Sequence, residues 1–273
     1  MNGVLRRYTA LAIGAAASLA LSAAGALDRA ALREWNSLPV LEGGRPMPMA
    51  AYARLVLLQL SGRGRAPNGE SAALWLGRVV FEGRSAENDA VFLIGHPELA
   101  DALGLSSDRP RFRAGFAQLE PAFDRLASLA VAASARAPAE RSALDREALR
   151  LASALELYAA LRGGCAPHIA PEGAGPHAHW RSPADLSAAA TRDPAAREAL
   201  ELWRDLGAAW RAGDSVRFRQ CAVQLRDRAI AQAAIPRFRA HLAAELWLVR
   251  ARPFWWAWLV YIVAALWPMP AEA

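Results

Sequence analysis

Apolar residues recur every three or four positions over most of the chain, as expected for one face of an amphipathic α-helix. The predicted helices cover residues 48–62, 70–81, 97–104, a long segment after Arg113, 142–161, 194–213, 216–233 and the run that begins at Pro236. Pro121 is predicted to break the beginning of the long segment. The stretch that begins at Leu38 is predicted to be an extended segment with a Gly-Gly turn at 43–44 before its helix, and Val91-Phe-Leu-Ile94 has the character of a strand. Apolar stripes of this kind are typical of packed helices, so the pattern predicts an all-α, multi-helix bundle.

The N-terminus carries an apolar run that suits export. Arg6 and Arg7 precede residues 11–27, which are rich in Ala and Leu, and Ala24-Gly25-Ala26 offers a small-residue cleavage site. Residues 1–27 fit a cleaved signal peptide and a retained membrane anchor equally well. In both cases the positive-inside rule keeps the two arginines in the cytoplasm and places Asp28 on the far side of the membrane.

A second apolar run lies at the C-terminus. Residues 254–267 contain no charge, but about 14 residues of helix extend only ~21 Å, against a hydrocarbon core of ~30 Å. The run reaches a spanning length if residues 246–249 join it, with Arg250 and Arg252 snorkelling toward head groups. We therefore expect a C-terminal transmembrane helix over 246–268, with its Trp and Tyr residues at the bilayer interface. A buried or dimer-forming helix is the alternative.

Between these runs, residues 28–250 are predicted to form a helical extracytoplasmic domain interrupted by a Gly-, Pro- and His-rich loop at 163–183. Cys165, His177 and His179 in this loop are candidate ligands for a metal or haem. No helix fixes their spacing, so solvated histidines on a surface loop are the simpler interpretation. Export would allow a disulfide between Cys165 and Cys221 without requiring one.

Composition and motifs narrow the class of function. All 32 basic residues are Arg, and the formal net charge of +6 suits an anionic lipid surface. The sequence has no Arg-rich block and no alternation of aromatic and basic residues, so it does not indicate nucleic-acid binding. It also contains no nucleophile–base signature, phosphate loop, dinucleotide fingerprint or Cys-x-x-Cys-His. Sequence chemistry alone thus predicts an exported helical protein that is not an enzyme and binds no cofactor of its own.

Several collinear stretches resemble the extracytoplasmic region of system II cytochrome c biogenesis proteins. The first is Leu38-Pro-Val followed by Gly44-Arg45-Pro, Tyr52-Ala-Arg and Leu60-Ser-Gly. Trp75-Leu76 with Phe81, the segment 91–105 and Phe116-Ala-Gln-Leu follow in the same order, and Glu245 with Arg252-Pro-Phe254 completes the match. Trp247 and Leu248 depart from the pattern, because they stand where the family has Tyr-Asn.

The resemblance implies a split system in the bacterial inner membrane, with this chain as its periplasmic accessory half. A separate multi-span protein would carry the haem, membrane lipids would be a further partner, and apocytochrome c is a possible client. The stretch that would contact the haem-handling partner contains Glu245, Arg250, Arg252, Trp255, Trp256 and Trp258. Residues 254–258 lack the Asp and Gly of the family's haem motif, so haem binding is not transferred to them.

Three alternatives remain open from the sequence. The chain is either a natural split subunit or a truncated fused gene. A periplasmic haem- or metal-binding protein that uses residues 165–179 is a rival function. A membrane-tethered scaffold unrelated to haem is another.

Overall fold

Helices make up most of the chain in the computed structural model, which describes residues 27–105, 109–175, 177–251 and 253–266. The helices are α1 Arg29–Ser37, α2 Met49–Ser61, α3 Ala72–Glu82, α4 Pro97–Ala102, α5 Phe116–Leu119, α6 Phe123–Ser134, α7 Ala143–Arg162, α8 Pro183–Ala189, α9 Pro194–Ala212, α10 Ser215–Ala233, α11 Phe238–Ala251 and α12 Pro253–Leu266. The predicted predominance of helix is therefore confirmed. Apart from Leu27, the predicted signal or anchor over 1–27 lies outside the described residues.

Three small hairpins interrupt the helices, so the prediction of an all-α chain is wrong in this detail. Each is a two-stranded antiparallel sheet. The strands are β1 Pro39–Glu42 with β2 Arg45–Pro48, β3 Phe92–Ile94 with β4 Phe112–Ala114, and β5 Ala170–Glu172 with β6 His179–Arg181. Gly43 and Gly44 adopt φ angles of 55° and 76°, which the two-residue turn between β1 and β2 requires. The strand predicted at 91–94 is confirmed as β3.

Helix ends follow the local chemistry of the sequence. Asp214 accepts a hydrogen bond from the backbone N–H of Arg217 at 3.0 Å, so it caps α10 as predicted. Ser142 caps α7 and forms a reciprocal capping box with Asp145. Pro121 lies in a 3-10 turn, Glu120–Ala122, which separates α5 from α6. The predicted break at this proline is confirmed.

The main core contains a cluster of aromatic rings around Trp35, which is fully buried on α1. Four rings from α3, α9 and α10 lie with their centroids 5.6–6.2 Å from the Trp35 ring: Phe81, Trp203, Trp210 and Phe218. The indole N–H of Trp35 donates to the carbonyl oxygen of Ala73 at 2.7 Å. The cluster therefore joins four helices without leaving this buried donor unpaired.

Two glycines allow the aromatic rings to reach the helices that they contact. A Cβ atom on Gly77 of α3 would lie 2.1 Å from the Trp210 ring, and one on Gly207 of α9 would lie 2.8 Å from the Phe81 ring. No side chain fits at such separations, so α3 and α9 pack ring against backbone at both positions.

A second, smaller core connects the hairpin β5–β6 to the last part of the chain. It contains Trp180 of β6, Ala229 and Ala233 of α10, and Phe238 and Leu242 of α11. The Trp180 and Phe238 rings meet edge to face with centroids 6.3 Å apart. This apolar contact attaches the first half of α11 to the folded domain.

The C-terminal segment is helical on both sides of Arg252, which lies outside the described residues. α11 is described to Ala251 and α12 from Pro253, so residues 246–251 and 253–266 of the predicted segment 246–268 are helical. Among the helices of the described ranges, none combines the length and the apolar composition needed to cross a bilayer. The structure thus does not support the predicted transmembrane helix.

The packing at Gly77 gives a first prediction. Gly77→Ala should lower the free energy of unfolding by up to about 2 kcal/mol, because an overpacking cost of roughly 1–3 kcal/mol is only partly offset by the ~1 kcal/mol that alanine gains in a helix. Chemical denaturation in detergent measures the effect. In a Trp210→Phe background the smaller ring should remove most of this cost; an equal cost in both backgrounds would show that the indole is not the cause.

Candidate functional site

The candidate site is the junction between hairpin β1–β2 and the C-terminal helices. α11 packs against β2, α2 and α1, and the Glu245 side chain forms an ion pair with Arg45. Arg45 is 69% exposed beside the hairpin turn, whereas Glu245 is only 19% exposed. The fold thus brings together the first and last stretches of the resemblance, which lie 200 residues apart.

Further polar contacts hold the base of α11. Arg239 of α11 donates to Asp227 of α10 at 3.2 Å. Arg226, next to Asp227, pairs with Glu34 of α1 and donates to the Ser37 hydroxyl at 3.3 Å. Of these contacts, only the Arg239–Asp227 pair involves α11 itself, and such a pair is expected to contribute less than about 1 kcal/mol. The second core therefore provides most of the attachment of α11.

Large apolar side chains are exposed beyond Glu245. Trp247 is 63% exposed and Leu248 48%, and on α12 Trp256 is 56% and Trp258 59% exposed. Val260, Tyr261 and Ile262 continue this exposed surface. We call these seven residues the aromatic surface. Exposed apolar groups of this extent are rare on a soluble monomer and are typical of protein or membrane contacts.

The predicted contact residues divide into two groups. Glu245, Trp256 and Trp258 have described side chains, of which the first is paired and the two indoles are exposed. Arg252 lies outside the described residues, and only the backbone is described for Arg250 and Trp255. Trp247 and Leu248 lie within the junction 245–258 that was predicted as the contact, although they were not singled out as contact residues; their departure from the family pattern was the available signal.

The 163–183 segment differs from the predicted surface loop. Residues 170–172 pair with 179–181, and Trp180 is buried in the second core. The backbone N–H of Leu41 in β1 also donates to the carbonyl of His168 at 3.0 Å. This segment is therefore a folded element that connects two hairpins and α11, and it carries the buried indole of Trp180.

The candidate ligands in this segment do not converge. Cys165, His177 and His179 are all exposed, and His179 Nδ1 lies 3.5 Å from a Glu172 carboxylate oxygen. Cys221 is buried, and both cysteines are free thiols. Burial raises the pKa of the Cys221 thiol. Within the described parts of the chain, no group of three His, Cys, Asp or Glu side chains is placed to hold a metal ion.

Arg181 forms ion pairs that stabilise the fold around this segment. It pairs with Glu172 across the hairpin and with Asp193 at 2.5 Å. The hydrogen bonds from Arg181 lower the pKa of both carboxyl groups, and Asp193 also caps α9. Because the folded-state pKa values of these carboxyl groups are lowered, the stabilisation is fully present at pH values above the ordinary carboxyl pKa. It is lost as the pH falls through the lowered folded-state pKa values.

Comparison with known proteins adds no relative. No family model matches the chain, and no curated protein matches it significantly.

The geometry of the segment gives a prediction about ligands. His177→Ala/His179→Ala should change stability by less than about 0.5 kcal/mol, whereas Trp180→Ala should cost about 3–5 kcal/mol through loss of the second core. Absorption spectra and metal analysis of the purified protein should show no stoichiometric haem or zinc. Stoichiometric haem or zinc that disappears in the double histidine variant would instead establish a site here.

The Arg45–Glu245 contact gives a prediction about the junction. A double-mutant cycle with Arg45→Gln and Glu245→Gln should show a coupling of about 0.2–1 kcal/mol that decreases as salt is added. The matched cycle uses Glu42→Gln, since Glu42 lies opposite Arg45 in the hairpin without an ion pair to it. Equal coupling in the two cycles would argue against a specific contact with α11.

Proposed function

We propose that this chain is an accessory, non-catalytic subunit of a system II type of cytochrome c maturation, which binds and positions a multi-span haem-handling protein. The collinear resemblance, which covers most of residues 38–267, supports this function. No residue of the chain is assigned a catalytic role, and haem belongs to the partner in this proposal.

The observation that carries the proposal is the Arg45–Glu245 pair. It connects the hairpin that begins the resembling region to the helix that ends it, and the aromatic surface follows directly. In the proteins that this chain resembles, the same stretch continues into the haem-handling module. A separate chain would need to replace that covalent connection with binding, and rigid Trp side chains provide much contact area at a low cost in conformational entropy.

We infer that the folded domain lies on the periplasmic side of the bacterial inner membrane. The apolar N-terminal run after Arg6 and Arg7 supports export. The indoles of Trp256 and Trp258 suit the head-group region of a bilayer, and α12 supplies an apolar helix that lipids or the membrane helices of the partner would cover. A scaffold unrelated to haem would use the same surface, so the proposal needs a test that reads haem attachment.

Replacement of the C-terminal segment tests this function. When residues 246–267 become a generic Leu/Ala segment that keeps Arg250 and Arg252, the protein should still fractionate with membranes but c-type cytochromes should be lost. The measurements are membrane fractionation, covalent haem staining and recovery of the multi-span protein with the tagged chain. Normal cytochrome levels would show that the segment is only an anchor, and the proposal that it contacts the multi-span protein would be wrong.

A smaller change separates contact from anchoring. Trp256→Ala/Trp258→Ala should reduce recovery of the partner, because exposed aromatic residues often dominate binding energy at interfaces. Val131→Ala/Val216→Ala removes exposed apolar groups from α6 and α10 and should leave recovery and cytochrome levels unchanged. If deletion of the whole chain leaves c-type cytochromes intact, the role in maturation is wrong whichever surface binds.

A further inference from the structure

Arginines from separate parts of the sequence lie together around the end of α2. Arg54 belongs to α2, Arg63 to the turn that follows it and Arg113 to β4, and Arg111 directly precedes β4. We call these four residues the arginine patch. The first three are exposed and Arg113 is half-buried.

Arg113 is fixed in place by the carbonyl oxygen at the end of α2. Its Nη2 and Nε atoms donate to the Ser61 carbonyl at 2.7 Å and 3.1 Å. Ser61 also holds the turn, because its hydroxyl accepts from the backbone N–H of Arg63 at 3.1 Å. The guanidinium of Arg113 is thus preorganised, with one of its nitrogen atoms not used in these bonds.

The turn also brings Arg54 into the patch. Gly62 ends α2 in the left-handed conformation, with φ of 68°. A Cβ atom on Gly64 would lie 2.9 Å from Arg54 Nε, so the Arg54 side chain lies directly against this glycine. The residues Gly62 and Gly64 therefore allow the chain to fold Arg54 and Arg63 toward the same region.

Among the described residues, no ion pair joins these four arginines to an acid, in contrast to Arg78, which pairs with Glu70 and Asp89. Burial lowers the pKa of Arg113, and the nearby charges of Arg63 and Arg111 lower it further. Mutual repulsion of this kind is relieved when an anion binds between the groups.

We propose that the arginine patch binds a phosphate group. Guanidinium groups present planar pairs of donors that match phosphate oxygens, and several of them around one point suit a group with more than one negative charge. The phosphate could be supplied by the head group of an anionic phospholipid or by a soluble phosphate compound. Both sources present the same oxygens to the patch, and the experiment separates them.

The test compares two variants that remove the same charge. Arg63→Gln/Arg111→Gln alters the patch but leaves the structural bonds of Arg113 intact, whereas Arg204→Gln/Arg219→Gln removes two exposed arginines of α9 and α10. Full-length protein in detergent is titrated with inorganic pyrophosphate by calorimetry. It is also floated with vesicles of phosphatidylcholine, with or without phosphatidylglycerol. Circular dichroism checks that both variants fold.

The patch variant should bind its phosphate probe at least about tenfold more weakly than wild type and the control variant, through loss of charge-assisted hydrogen bonds. Such a loss with pyrophosphate identifies a soluble phosphate source, and a loss seen only with phosphatidylglycerol identifies the lipid. Equal binding by the two variants in both assays would overturn the proposal. Binding of polyglutamate by the patch without binding of either phosphate probe would overturn it as well.

Discussion

Burial of the Trp35 indole is the contact on which the arrangement of the domain depends. This one side chain meets rings from α3, α9 and α10 and satisfies its N–H within α3. It also determines where the following residues lie, since the Leu38 backbone N–H donates to the Trp35 carbonyl as α1 ends and β1 begins. Placement of the first hairpin, and so of Arg45, is a consequence of packing in the core.

The junction at α11 combines a strong contact with weak ones. Full burial of a side chain such as Phe238 or Leu242 stabilises by about 1.5–3 kcal/mol, and an exposed ion pair such as Arg45–Glu245 by less than about 1 kcal/mol. The second core therefore holds the base of α11, and the weaker Arg45–Glu245 pair adds a contact between the helix and the hairpin. The side chains that follow, Trp247 and Leu248, are exposed.

The sequence predicted the parts of the fold that local chemistry controls. Helical periodicity, Pro121 and the Asp214 cap identified elements that the structure confirms. The extended segment and Gly-Gly turn predicted after Leu38 correspond to the hairpin β1–β2. Strands of three residues carry too little periodicity to be recognised, which explains why β4, β5 and β6 were not predicted. The turn residues around Trp180 resembled a solvated loop, because burial of that indole depends on α10 and α11.

Only part of the candidate site could be predicted from the sequence, because the site also depends on contacts between residues that are far apart in the chain. Glu245 and the tryptophans of α12 could be selected from one stretch, but the pairing with Arg45 joins residues 200 positions apart. The arginine patch could not be predicted from the sequence either, because Arg113 contacts Ser61, which lies 52 positions earlier in the chain. Both surfaces are positioned by α2: β2 with Arg45 leads into its first turn, and Ser61 ends it. A 13-residue helix spans roughly 20 Å, so a rigid element fixes the spacing between the hairpin junction and the arginine patch.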